Sequence, residues 1–229
     1  MEAKQILEGP TGVRVMLDDT TEPYLYETDF LLASLNSGIA EVALRTRCLQ
    51  DDVGPACTVA IEAGTSRYTL LPEVLVVRAA HIVGRRDPLK RVTAATLDKL
   101  EPGWCSDVVL RQGTPEYIVI DLAQKSITLF PVPAENAELR LRVWRLPDES
   151  EQIEALDDEP AIMLPDPMVL KHWVLHECYL VKDSELYDPE RAATHLQQFE
   201  ERFGPRPTIQ ALQQWSVSPM GRRVKVVDY

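Results

Sequence analysis

His172 and His176 are the pair whose type and spacing come nearest to doing chemistry, because residues four apart share a helix face and two imidazoles there can aim at one metal ion. The run His172-Trp-Val-Leu-His176-Glu177-Cys178 lacks the rest of a zinc-protease pattern. A zincin places Glu directly after the first His, where Trp173 stands. An inverzincin places Glu directly before the second, where Leu175 stands. The chain has 4 His in all, so two polar positions on an interhelical face are the simpler reading, and neither a metal nor a cofactor is expected.

Other catalytic patterns are missing from the sequence. Cradling a phosphate needs glycines at fixed offsets beside a helix N-terminus, and neither G-x-x-x-x-G-K-[ST] nor G-x-G-x-x-G occurs. There is no G-x-S-x-G to seat a serine nucleophile. The cysteines, Cys48, Cys57, Cys105 and Cys178, include no C-x-x-C pair; reduced, mostly buried thiols are expected, although Cys48 and Cys57 could meet across a loop. Carboxylates are so abundant that a pair flanking a glycosidic bond is possible, which keeps a cell-wall-cleaving hydrolase as the alternative function.

Composition narrows the classes further. The 229 residues hold 24 Lys plus Arg against 36 Asp plus Glu, a formal charge of -12, with 45% hydrophobic residues. That suffices for one large domain or two small ones with a real core. The acidic balance argues against a sequence-independent grip on nucleic acid, which rests on clustered Lys and Arg. No apolar run approaches the roughly 18 to 20 residues of a membrane-spanning helix. The N-terminus lacks the pattern of a secretory signal, so the cytosol, or a particle assembled there, is the expected location.

The elements that must carry any site follow from periodicity. Thr28 and Asp29 offer N-cap oxygens before Phe30, Leu31, Leu32, Leu35, Ile39, Val42 and Ala43, which predicts a helix over 29–47. Short runs rich in Val, Ile, Leu, Thr and Tyr then predict strands at 58–62, 67–70, 74–83, 89–92, 117–122, 126–130 and 138–145, with one short helix at 94–100. In the last strand Leu139, Leu141 and Val143 alternate with Arg140 and Arg142, with Arg145 at the strand's end, giving one buried face and one basic face. A connector over 147–167 holds Asp148, Glu149, Glu151, Glu154, Asp157, Asp158 and Glu159 and no basic residue, and reads as a solvated loop with at most one helical turn. Asp166 caps a helix over 167–181, and Asp188 with Pro189 starts another to Phe203; the short polar loop between them makes the two an antiparallel pair.

The segment 204–229 carries Arg206, Arg222, Arg223 and Lys225 against Asp228, so an arm at +3 follows a body at -15. It reads as an extended arm for docking on a partner, with Trp215 as an anchor. The expected fold is α+β: an antiparallel helical bundle, made of the N-terminal helix and the C-terminal pair, interrupted by an antiparallel β module. The divisions are 1–55, 56–147, 148–203 and the arm at 204–229.

In this order the pieces resemble the head-to-tail adaptor, or connector, proteins of tailed bacteriophages. The resemblance runs from Arg14-Val-Met-Leu-Asp-Asp through Thr28-Asp-Phe-Leu-Leu-Ala-Ser-Leu-Asn, with its Leu35-Asn36 pair, and Glu62-Ala-Gly-Thr-Ser-Arg-Tyr-Thr-Leu-Leu-Pro72. It continues at Pro115-Glu-Tyr117, Leu129-Phe-Pro-Val-Pro133, Asp157-Asp-Glu-Pro-Ala-Ile-Met-Leu-Pro165 and the Asp188-Pro-Glu-Arg-Ala-Ala helix, covering roughly 14–203. It implies a non-enzymatic virion protein that forms a homo-oligomeric ring, twelve-fold, beneath the portal, joining capsid to tail and continuing the DNA channel. The implied partners are the portal protein, a tail or nozzle protein and other copies of the chain, with DNA passing unbound and no membrane. On this reading Leu35, Asn36 and Ile39 serve subunit packing, and Trp215, Arg222, Arg223 and Lys225 serve portal docking.

Overall fold

A computed structural model describes residues 1–104, 111–121, 123–182 and 184–217. It is α+β and divides into two compact units, Met1–Leu49 with Leu146–Arg206, and Gln50–Arg145 with Pro207–Tyr229. The helices are α1 (Ala3–Glu8), α2 (Val13–Met16), α3 (Thr28–Thr46), α4 (Ala94–Leu100), α5 (Leu170–Cys178), α6 (Pro189–Phe203) and α7 (Ile209–Val217). The strands are β1 (Gln50–Asp51), β2 (Thr58–Ile61), β3 (Arg67–Thr69), β4 (Val74–Ile82), β5 (Lys90–Val92), β6 (Gln112–Gly113), β7 (Tyr117–Asp121), β8 (Ser126–Phe130), β9 (Val132–Pro133) and β10 (Ala137–Arg145).

In the first unit α3 buries Leu31, Leu32, Leu35, Ile39, Val42 and Ala43, the periodic apolar set of the sequence. Its start differs from expectation. Thr28 is already the first helical residue and no side chain caps the helix, because the Thr28 hydroxyl is taken up by the Arg14 guanidinium at 3.0 Å. The helix stops at Arg47, whose φ of 57° is left-handed and whose N–H still reaches the Ala43 carbonyl.

Asp166 accepts from the Met168 N–H and starts a single turn, Pro167–Val169, that leads into α5. That helix ends at Cys178, short of the expected 181; the Cys178 carbonyl instead accepts from the Tyr26 hydroxyl at 2.7 Å. Asp188 accepts from the N–H groups of Glu190 and Arg191, with Pro189 at the first helical position, so α6 begins where the sequence said it should. Its contacts with α5 run in opposite directions, His172 to His195, Trp173 to Phe199 and His176 to Ala192, so the two helices are antiparallel.

The acidic connector is not merely a solvated loop. Ile153 and Ile162 are buried in the core of this unit, and the carbonyls of Leu156 and Asp158 accept from the N–H groups of Lys4 and Ala3. One turn, Glu149–Glu151, closes with a reciprocal cap between Asp148 and Glu151.

In the second unit β10 is central, pairing antiparallel with β1, β2 and β4. Leu139, Leu141 and Val143 face the core while Arg140 and Arg142 face out. A second sheet runs β3-β8-β7-β5, and its β5–β7 pair is parallel, as is the separate β6–β9 pair. The β module is therefore mixed rather than antiparallel. The chain leaves β5, passes through α4 and returns to β7 by a crossover, which sets two strands parallel where a tight hairpin would have reversed them.

Part of the expected arm also belongs to this unit. α7 packs on β4, β5 and β7; Leu212 joins the apolar cluster, Ser216 is buried, and Arg91 donates to the Ser216 carbonyl at 2.7 Å. An extended arm over the whole of 204–229 is corrected to that extent: an amphipathic turn that finds an apolar sheet folds onto it. Arg222, Arg223 and Lys225 lie outside the described residues.

Candidate assembly site

A groove of about 500 Å3 runs along α3 in the first unit. Leu32 and Ile39 form its floor, Ala33, Ser37 and Ala40 are its small-residue wall, and residues 147 and 151–154 of the connector close the other side. Asn36 holds this wall in place. Its amide donates to the Ile153 carbonyl and its oxygen accepts from the Ile153 N–H, both at 2.9 Å, so one side chain satisfies both backbone groups of a buried residue. Asp29, Glu151 and Glu154 stand on the groove's rim.

Of the residues expected to pack subunits, the structure brings Leu35, Asn36 and Ile39 to one stretch of α3 but gives them internal roles. Leu35 and Ile39 are 0% and 1% exposed and fill the unit's own core. In this chain the surface that α3 offers is instead the rim around them, Asp29, Phe30, Ala33, Ser37 and Ala40. An apolar helix face buried within a chain and one buried between chains have the same periodicity, so sequence could not separate them.

Beside the start of α3 lies a buried charge network that sequence reasoning missed. Arg14 donates to Asp19 Oδ2 at 2.9 Å, to the Tyr26 carbonyl at 3.1 Å and to the Thr28 hydroxyl, while its guanidinium lies 3.8 Å from the Tyr24 ring centroid. Asp19 also accepts from the N–H groups of Leu25 and Tyr26. The loop before α3 is thereby fixed from inside, leaving Tyr24 and Leu25 exposed on it and Phe30 exposed in the first turn of the helix. At the other end of α3, Arg45 bridges Glu41, Glu200 and the Gly204 carbonyl. A lone Arg or Asp in the sequence gives no sign of such pairing.

The two histidines singled out by spacing do not converge on one point. His172 Nδ1 meets His195 Nδ1 at 3.1 Å, and His176 Nδ1 meets the Ala192 carbonyl at 2.8 Å. Burial, reinforced by the neighbouring His195, pushes His172 down to about 4, and His195 is also lowered, chiefly by burial. Both rings are neutral at pH 7 and sit on the interhelical face, with Tyr179 stacked on His195 at 5.7 Å. No group of three or more metal-ligating side chains occurs among the described residues.

The sequence matches the family model described as SU10 adaptor protein over residues 11–223. The chain belongs to this family. It is a bacteriophage head-to-tail adaptor, a structural protein of the virion, and the match spans both units. No curated protein matches the adaptor.

Within the adaptor, the excess acid lies on the first unit, while residues 50–145 balance at 12 Lys and Arg against 12 Asp and Glu, so the second unit's basic surplus comes from Arg222, Arg223 and Lys225 against Asp228. The first unit has 9 Lys and Arg against 23 Asp and Glu, a net of -14, and the second has 15 against 13, a net of +2. The connector's acids are mostly at the surface, and some serve their own backbone: Asp158 accepts from the N–H groups of Glu154 and Ala155, which lowers it below the usual carboxylate range. Cys48, Cys57 and Cys178 are free thiols. Burial pushes Cys57 up to about 11 and Cys178 up to about 12, so neither is a nucleophile at neutral pH. Trp215 lies half-buried on α7 rather than in a loose tail. No helix among the described residues is long and apolar enough to cross a membrane.

Proposed function

We propose that this adaptor assembles as a homo-oligomeric ring beneath the portal, joins the capsid to a tail or nozzle protein and continues the DNA channel. Twelve copies per ring are what the family resemblance implies. The observation that carries the reading is the family match over 11–223, which takes in the helical unit, the β unit and most of the C-terminal segment. A net of -14 on the first unit suits passage of DNA without a grip, because like charge repels phosphate and leaves no counterions to release.

Subunit packing falls to the rim of the α3 groove, where Asn36 fixes the geometry and Leu35 and Ile39 back the helix from within. Portal docking falls to the C-terminal segment: α7, packed on β4, β5 and β7, carries the half-buried Trp215, and Arg222, Arg223 and Lys225 supply the charge. Cutting the chain after Phe203 would also strip α7 from the β unit, so point substitutions are the cleaner probe. The full-length triple variant R222A/R223A/K225A should keep its thermal transition and lose co-sedimentation with portal rings of the same phage. Wild-type co-sedimentation by that variant would remove the docking role from these residues.

A further inference from the structure

Among the described residues of the β unit, the most exposed large apolar side chain sits on the turn after β1. Val53 is 84% exposed, yet its backbone is held rigidly. Asp51 Oδ1 accepts from the N–H groups of Val53 and Gly54, both at 3.0 Å, and Oδ2 accepts from Arg145 Nε at 3.1 Å. Those bonds draw Asp51 down to about 2. A Cβ at Gly54 would stand 2.4 Å from the Asp51 carboxylate, so a side chain there would displace the group that holds the turn. A preorganised apolar knob loses little conformational entropy on docking.

The knob borders the outward, basic face of β10. Arg142 approaches Asp52 at 3.9 Å, and Arg140 pairs with Glu138 at 2.9 Å, with both arginine side chains more than half exposed. Exposed pairs of this kind are worth little in water, so both guanidinium groups can exchange partners. The other unit carries a groove lined by Leu32, Ala33, Ile39 and Ala40 and by the acids Asp29, Glu151 and Glu154, with Ala33 and Ala40 offering its accessible apolar surface.

A ring of identical subunits needs a heterologous contact between two different patches of the same chain. With the first unit at -14, two such units repel each other face to face, whereas the exposed Arg140 and Arg142 of a β module whose charge balances over 50–145 meet its acids favourably. We propose that the Val53 knob of one copy seats in the α3 groove of the next, with Arg140 and Arg142 lying over the Asp29 and Glu154 rim. This rests on the ring reading above and names the interface that closes the ring.

The test uses the full-length chain mixed with portal, with ring fraction read by electron microscopy and sedimentation velocity. V53D should lower the ring fraction roughly tenfold or more, as expected for a central anchor, with unchanged circular dichroism and Tm. R140E/R142E, on an exposed strand face, should do the same without touching the turn. Adding D29K/E154K to R140E/R142E in one chain should restore rings, because every interface then carries the reversed pair. Wild-type assembly by V53D and by R140E/R142E overturns the interface and leaves the ring reading standing. Loss without restoration places the partner of the arginines elsewhere and overturns the pairing. Rings that form but no longer bind portal assign the knob to the portal instead, and a wild-type chain that forms no rings overturns both readings.

Discussion

The helical unit and the β unit close their cores by different means. The helical unit is assembled from two stretches of chain, Met1–Leu49 and Leu146–Arg206, joined by side chains that reach backbone far away in sequence: Tyr26 to Cys178, Asn36 to Ile153 and Arg45 to Gly204. It also encloses charge, with Arg14 and Asp19 both less than a tenth exposed. The β unit closes with ladders around β10 and leaves Arg140 and Arg142 at its surface. Polar groups thus specify the helical unit from within, while the central strand of the β unit carries Arg140 and Arg142 on its outer face.

That contrast is most exposed to failure at Arg14. Arg14→Ala leaves Asp19 buried without its counter-charge and should cost about 3–5 kcal/mol of stability in urea melts. A loss below about 1 kcal/mol would show that the pair does not organise the helical unit. Next come the two cores. Leu35→Ala and Leu141→Ala each empty a fully buried site and should cost about 2–5 kcal/mol. Leu35→Ala should shift the loss of helical ellipticity at 222 nm, and Leu141→Ala the sheet signal. If each shifted both signals equally, the units would be one cooperative block.

Asn36→Ala should cost about 1–3 kcal/mol, because it strands both backbone groups of Ile153, and it should raise amide exchange at Ile153 ahead of the rest of α3. The pH dependence also separates the units. His172 titrates near 6.5 unfolded and about 4 folded, so its contribution is complete above pH 6.5 and is lost as pH falls from 6.5 to 4, where the unfolded chain takes up the proton first. Asp51 in the β unit, about 2 against 3.8, keeps its contribution until below pH 4. H172Q should flatten the slope of stability between pH 6.5 and 4, and an unchanged slope would assign it to other groups. The smallest effect belongs to the exposed pair: Arg140→Ala should change stability by less than about 1 kcal/mol.

Much of the fold was legible where a local physical signal exists. Asp188-Pro189 and Asp166-Pro167 mark helix starts, and the Leu/Arg alternation of β10 marks a half-buried strand. The parallel β5–β7 pair was not, since alternation sets which face is buried and carries no strand direction. Ile153 and Ile162 are isolated apolar residues in an acidic run, too sparse to give a period, and only the folded unit shows them buried. Asn36 was legible as a notable residue of α3, but its partner lies 117 positions away. The basic surplus of the C-terminal segment was legible in the sequence, whereas the concentration of acid in the helical unit, at -14, was hidden until the unit boundaries were known.

The central claim is that this chain is a ring-forming adaptor whose partner is a portal. Electron microscopy of the wild-type chain alone and mixed with its portal measures that directly. The account predicts a closed ring of adaptor density seated on the portal and coaxial with it. Portal particles bare of adaptor density, beside a chain that stays monomeric at every ratio, would contradict it.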